Sequence, residues 1–232
     1  MELIWEGLKE ALRLLGSLDR EVLAIVWLSL KVSGLATLLS TLLGVGLGAL
    51  VALTRFPGKR ILVSLVNTGM GLPPVVVGLF VSILLWRSGP LGMLDLLYTP
   101  TAMVVAQCVI ATPIVMGFSI AALQALPPNL RLQIQTLGAS RLQTLWLLLR
   151  EARLPLLAAV MAGFGGVISE VGASIMVGGN IKGHTRVLTT ATVMETGRGN
   201  FEIAIALGLL LLALTFGVNL VLTWIQQRER PR

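Results

Sequence analysis

Two stretches of the sequence hold the side chains that could do chemistry. Residues 126–155, LPPNLRLQIQTLGASRLQTLWLLLREARLP, form the longest polar interruption in an apolar chain and carry Arg131, Arg141, Arg150 and Arg153. Residues 169–200 open with Ser169-Glu170-Val171-Gly172-Ala173-Ser174 and continue through Asn180, Lys182, His184 and Arg186. Neither reads as a catalytic apparatus. One histidine is too few for a His-rich metal site, and no histidine lies near Ser169-Glu170 in sequence to make it a nucleophile. No Gly-x-x-x-x-Gly-Lys-Ser/Thr segment is present to cradle nucleotide phosphates. The two stretches offer positive charge, hydroxyls and backbone amides, groups that bind anions or dock partners. The chain is expected not to be an enzyme.

The spacing around the first stretch predicts how it is held. Pro127-Pro128 ends an incoming helix, since proline lacks the N–H donor and its ring clashes with the preceding turn. Asn129 is then placed to cap a short helix opened by Leu132, Gln133 and Gln135, with Gly138-Ala139-Ser140 as its C-cap or turn. A second amphipathic run puts Leu142, Leu145, Trp146 and Leu149 on one face, with Gln143, Arg150 and Arg153 mostly on the other. Two short helices about a glycine turn, between apolar blocks, suit contact with a soluble partner. A plain basic loop that fixes topology is the other reading.

Those apolar blocks set the class. Of 232 residues, 55% are hydrophobic and 12% charged, and the mean hydropathy is +0.88. Soluble domains carry about a quarter charged residues, so lipid must be this chain's solvent. The expected architecture is an all-α integral membrane protein, a single transmembrane domain over residues 1–232, with spans near 22–53, 61–86, 99–125, 155–177 and 201–224. An amphipathic helix over 1–20, apolar at Ile4, Trp5, Leu8, Leu12 and Leu15, lies on the membrane surface or packs on the rest of the protein. Its pattern differs from a cleavable secretory signal. The single cysteine, Cys108, excludes an intrachain disulfide.

Several features inside the spans bear on function. Pro73-Pro74 interrupts the second span at mid-depth, and Thr112-Pro113 is expected to interrupt the third. Broken helices at that depth are where transporters place substrate paths, and a plain kink is the alternative. Glu170 lies in the fourth span, where a carboxylate is costly; it reads as a structural acceptor in preference to a proton or cation site. Lys31 in the first span snorkels to an interface or marks a partner contact. With Ser169 and Ser174, residues Pro73, Pro74, Thr112 and Glu170 make up the candidate translocation path.

Charge location gives the expected orientation. Loop 54–60, loop 126–154 and the tail hold Arg55, Lys59, Arg60, Arg131, Arg141, Arg150, Arg153, Arg228, Arg230 and Arg232 against only Glu151 and Glu229. Placing these segments in the cytoplasm satisfies the positive-inside rule, with the N-terminus outside and the C-terminus inside. It also accounts for the net charge of +7 without nucleic acid.

The loop resembles that of bacterial ABC importer permeases, which have the pattern Glu-Ala-Ala, three residues, Gly, nine residues, Ile, one residue, Leu-Pro. Thr136-Leu137-Gly138-Ala139-Ser140-Arg141 matches its centre and Leu148 its Ile position. Leu132-Gln133-Ile134 replaces Glu-Ala-Ala and Arg150-Glu151 replaces Leu-Pro, with Leu154-Pro155 following. Residues 170–186 are similar to oxyanion importers in the acid-x-Gly-Ala, Gly-Asn-Ile and Thr-Arg segments. With Leu188-Thr189-Thr190-Ala191 and Glu195-Thr196-x-x-Gly199-Asn200-Phe201, the stretch is most similar to tungstate permeases.

The resemblance implies a type I ABC permease fold in a prokaryotic inner membrane, acting as a homodimer with a cytoplasmic ATPase and an external oxyanion-binding protein. ATP and Mg would be bound by the ATPase, with no cofactor in this chain. Leu132, Gln135, Thr136, Leu137, Gly138, Ala139, Ser140 and Arg141 would couple to the ATPase. Asn180, Lys182, His184 and Arg186 would dock the binding protein or receive the anion. Molybdate, sulfate and, remotely, a passive anion channel remain the alternatives.

Overall fold

The computed structural model describes residues 2–16 and 19–228. Most of them lie in eleven α-helices: α1 (Glu2–Gly16), α2 (Arg20–Leu53), α3 (Lys59–Met70), α4 (Pro74–Leu85), α5 (Pro100–Gln124), α6 (Leu130–Thr136), α7 (Arg141–Glu151), α8 (Arg153–Ile168), α9 (Gly172–Gly178), α10 (Leu188–Gly197) and α11 (Phe201–Arg228). No strand occurs among the described residues, so the all-α expectation holds. Three helices, α2, α5 and α11, are each long and apolar enough to cross a membrane, and two bent pairs raise the crossings to as many as 5.

The centre of the fold is α5, packed by α2, α3, α8 and α9. Small residues let α2 approach it: a methyl group added at Gly44 would come within 2.8 Å of Val115 Cβ. Ala36 of α2, Ala111 of α5 and Val167 of α8 meet in one buried cluster. Asp19 starts α2 by accepting the Val22 N–H at 3.0 Å, and Thr54 closes it by donating to the Leu50 carbonyl at 2.6 Å.

With 34 residues, α2 is about 51 Å long, roughly 20 Å more than a bilayer's hydrocarbon core. Lys31 is exposed on it, about 16 Å from its start. Among the described residues Lys31 has no polar partner.

The break expected at Pro73-Pro74 is present, and the expected spans differ from the observed helices in two other places. Residues 61–86 divide into α3 and α4, bent by 101°. The turn closes its own polar groups: Thr68 O accepts from Gly71 N, and Pro73 O accepts from Val76 N at 2.9 Å. At Thr112-Pro113 the expected break is absent, and α5 runs unbroken from Pro100 to Gln124. Proline deprives one carbonyl of its donor, and the packing of α5 by its neighbours holds the helix together.

The expected span 155–177 is interrupted instead. α8 stops at Ile168, and the chain re-forms a helix only at Gly172. The break has local and distant causes. Glu170 Oε1 accepts the Ala173 N–H at 2.8 Å, capping α9, while Thr189 donates to the Glu170 carbonyl at 3.0 Å.

The two ends of the bundle gather different segments. At one end Arg131 donates to Leu53 O at 2.6 Å, and Gln226 donates to Leu154 O at 3.4 Å, joining the α2–α3 turn, the 126–154 region and the end of α11. At the other, α1 lies against the start of α11, with Gly7 beside Ile205, and Lys182 reaches Glu21. α1 buries Ala11 and leaves Trp5, Leu8 and Leu12 exposed, so it both packs on the protein and presents an apolar stripe. The side chains of Ile4 and Leu15, and Glu229, Arg230 and Arg232 of the tail, lie outside the described residues.

Candidate functional site

The 126–154 region folds as two short helices about an elbow. α6 ends at Thr136, Leu137 caps it, and Gly138 turns the chain at φ +85°. That left-handed conformation is one a Cβ disfavours. Ser140 then starts α7 through a reciprocal capping box: its hydroxyl accepts the Gln143 N–H at 3.3 Å, and its own N–H donates to Gln143 Oε1 at 2.8 Å. Asn129, expected to cap α6 with its side chain, makes no such bond; its carbonyl alone accepts Gln133 N at 2.9 Å.

What the elbow buries and exposes defines its use. Leu130, Ile134, Leu145, Leu148 and Leu149 pack against Ala49, Ala122, Leu123 and Ala152. α7 is rotated from the expected register: Thr144 and Leu148 are its buried residues, while Leu142 and Trp146 stay exposed. Leu132, Gln135, Thr136, Leu137, Gly138, Ser140 and Arg141 are all exposed, with Ala139 half-buried. Leu137 shows 88% of its surface. Large apolar side chains are left uncovered beside polar ones on this capped elbow, a composition suited to contact with another protein. Arg131 anchors it to the first long helix through the Leu53 carbonyl.

The candidate path residues lie mostly around α4, α8 and α9, with each polar side chain already engaged. Pro73 and Pro74 start α4, which runs along α9. Thr112 donates to Cys108 O at 2.7 Å, and Ser169 donates to Gly165 O at 2.8 Å. Ser174 is fully buried and accepts from Gln107 Nε2 at 3.3 Å. Glu170, 7% exposed, spends Oε1 on the α9 cap. These six residues are not brought into one cavity with several free donors. The arrangement places Ser169 and Glu170 at a break between α8 and α9.

Gln107 and Ser29 are among the buried polar residues that the sequence did not single out. Gln107 is 2% exposed, and its Oε1 has no partner, although a lone amide in an apolar span was visible as an oddity. Ser29 accepts the Leu188 N–H at 2.8 Å and thereby starts α10 from a helix 159 residues away. No local pattern announces such a bond.

At the opposite end, the loop after α9 turns at Gly179 and Asn180, and Thr185 pins it by donating to Gly178 O. Lys182 Nζ lies 2.7 Å from Glu21 Oε2, and Arg186 Nη1 lies 3.6 Å from Glu21 Oε1. Sharing Glu21 cancels part of the positive field that Lys182, His184 and Arg186 were expected to present. His184 is exposed.

Residues 44–231 match the family described as "Binding-protein-dependent transport system inner membrane component". The chain is 41% identical over 227 residues to the tungstate uptake system permease protein TupB of Peptoclostridium acidaminophilum, covering 98% of this chain and 100% of that one. It is 44% identical over 211 residues to a probable anion ABC transporter permease protein of Haloferax volcanii, covering 88% and 91%. Among solved structures, the inward-facing MetNI methionine ABC transporter superposes with a TM-score of 0.76 at 19% identity, over 93% of this chain and 99% of that chain. That likeness gives the type I permease fold.

Proposed function

The chain belongs to the family of binding-protein-dependent transport system inner membrane components, and on that premise we propose that it is the membrane-spanning permease of an ATP-driven importer for tungstate. It is a multi-pass membrane protein and a transport component rather than an enzyme. The observation that carries the substrate is the full-length similarity to TupB at 41% identity.

In this reading two copies enclose the path, and the elbow at Leu132, Gln135, Thr136, Leu137, Gly138, Ala139, Ser140 and Arg141 seats in a cytoplasmic ATPase that holds ATP and Mg. Asn180, Lys182, His184 and Arg186 face the external binding protein, with the N-terminus outside and the C-terminus inside. ATP-driven closure of the ATPase dimer brings the two elbows together and opens the path outward. The α3–α4 bend at Pro73-Pro74 and the α8–α9 break at Ser169-Glu170 let that movement reach the helices.

The test is anion uptake into proteoliposomes holding the permease, its ATPase and its binding protein. ATP-dependent accumulation of tungstate, resisting excess sulfate and molybdate, is expected. Equal uptake of all three would leave an oxyanion importer without a preference for tungstate. Preference for molybdate or sulfate would overturn the substrate.

A further inference from the structure

A groove of about 840 Å3 opens where α2 hands over to α3, lined by Arg55, Phe56, Lys59, Arg60, Ile61 and Gln124 among others. Its three cations are not equivalent. Lys59 Nζ donates to Ala52 O and Thr54 O, each at 3.0 Å, and so closes the carbonyl end of α2. Arg55 and Arg60 are exposed and have no hydrogen-bond or ion-pair partner among the described residues. No carboxylate lines the groove, and the first turn of α3 contains none.

The surroundings are apolar in a directional way. Ile61, at the groove, and Leu65, one helical turn further along the same face of α3, are 68% and 63% exposed. Two unpaired guanidiniums thus stand at the base of an apolar stripe that runs along a helix of the membrane domain. A free inorganic anion would satisfy the charges and leave the stripe uncovered. An amphiphile with an anionic head satisfies both.

We propose that this groove binds the phosphodiester headgroup of an anionic phospholipid through Arg55 and Arg60, with an acyl chain along Ile61 and Leu65. The bound lipid is a fixed part of the α2–α3 turn, at the end of the bundle that also carries the α6–α7 elbow.

The test is native mass spectrometry of the full-length chain titrated with phosphatidylglycerol and, separately, phosphatidylcholine. Wild type is expected to prefer phosphatidylglycerol, and the double variant Arg55→Gln/Arg60→Gln to lose that preference by roughly tenfold or more. Arg55→Lys/Arg60→Lys, which keeps the charge, should retain most of it and controls for misfolding. Arg20→Gln/Arg87→Gln, an equal charge change at the other end, should bind as wild type. An unchanged preference in Arg55→Gln/Arg60→Gln, or an equal loss in the distant pair, would overturn the proposal. So would inorganic phosphate binding with the same arginine dependence in place of lipid. Undiminished lipid binding with lost capture of the ATPase would assign the groove to that protein instead.

Discussion

Replacing Gly138 separates the geometry of the elbow from the stability of the whole protein. Gly138 sits at φ +85°, and a Cβ built there meets nothing within 4 Å. A side chain therefore meets no clash, and the penalty lies in the backbone alone. A left-handed conformation costs an ordinary L-residue about 1–2 kcal/mol, less for asparagine and more for a β-branched residue. Against this, any replacement of glycine lowers unfolded-chain entropy and returns about 0.4–1 kcal/mol. Global stability should hence change little, while the elbow's own geometry is disfavoured by about 1 kcal/mol in Gly138→Ala, roughly a fivefold shift in population. Gly138→Val should lose more and Gly138→Asn least. The assay is the number of ATP molecules hydrolysed per anion imported in proteoliposomes, with thermal unfolding recorded alongside. Coupling should worsen in the order Gly, Asn, Ala, Val at nearly constant melting temperature. A Gly138→Val protein that couples as wild type would refute the reasoning, as would Gly138→Asn proving as damaging as Gly138→Val.

Other substitutions probe the remaining parts. Glu170→Gln keeps an oxygen that can accept the Ala173 N–H and should melt close to wild type and transport normally, whereas Glu170→Ala removes the cap and should lose about 1 kcal/mol. Loss of transport in a stable Glu170→Gln protein would show that the charge itself is used. Ser29→Ala strands the buried Leu188 N–H and should destabilise by about 1–3 kcal/mol in thermal or denaturant unfolding; an unchanged stability would remove that bond from the account. Orientation is readable by thiol labelling in a Cys108→Ser background. His184→Cys should react with an impermeant maleimide in intact cells and Leu137→Cys only after permeabilisation, and the reverse pattern would invert the topology.

Much of the elbow was legible because its causes are local. A double proline and a glycine are each read within a few residues, and Gly138 takes the turn expected of it; the Ser140–Gln143 capping box, equally local, went unread because Ser140 was assigned to the turn and Gln143 to the polar face. The register of α7 was not legible, since amphipathic reasoning assigns every large apolar residue to the interior. Trp146 and Leu142 instead face outward on a surface suited to a partner.

Breaks in the spans divided along the same line. Pro73-Pro74 acts through its own turn, so the bend appears where the residues are. Pro113 does not break α5, because the surrounding helices hold it. The α8–α9 break depends on Thr189, 19 residues on, reaching Glu170, and the loss of free charge at Lys182 and Arg186 depends on Glu21 from the first long helix. Such effects are tertiary, and periodicity has no signal for them.

The central question is whether ATP hydrolysis by a separate subunit drives this chain. The deciding measurement is ATPase activity of the permease assembled with its ATPase in liposomes, with empty and tungstate-loaded binding protein compared. Stimulation by the loaded form, lost in Gly138→Val, is the predicted result. Tungstate flux through the permease alone, with hydrolysis indifferent to the loaded binding protein, would contradict it and make the chain a passive anion channel.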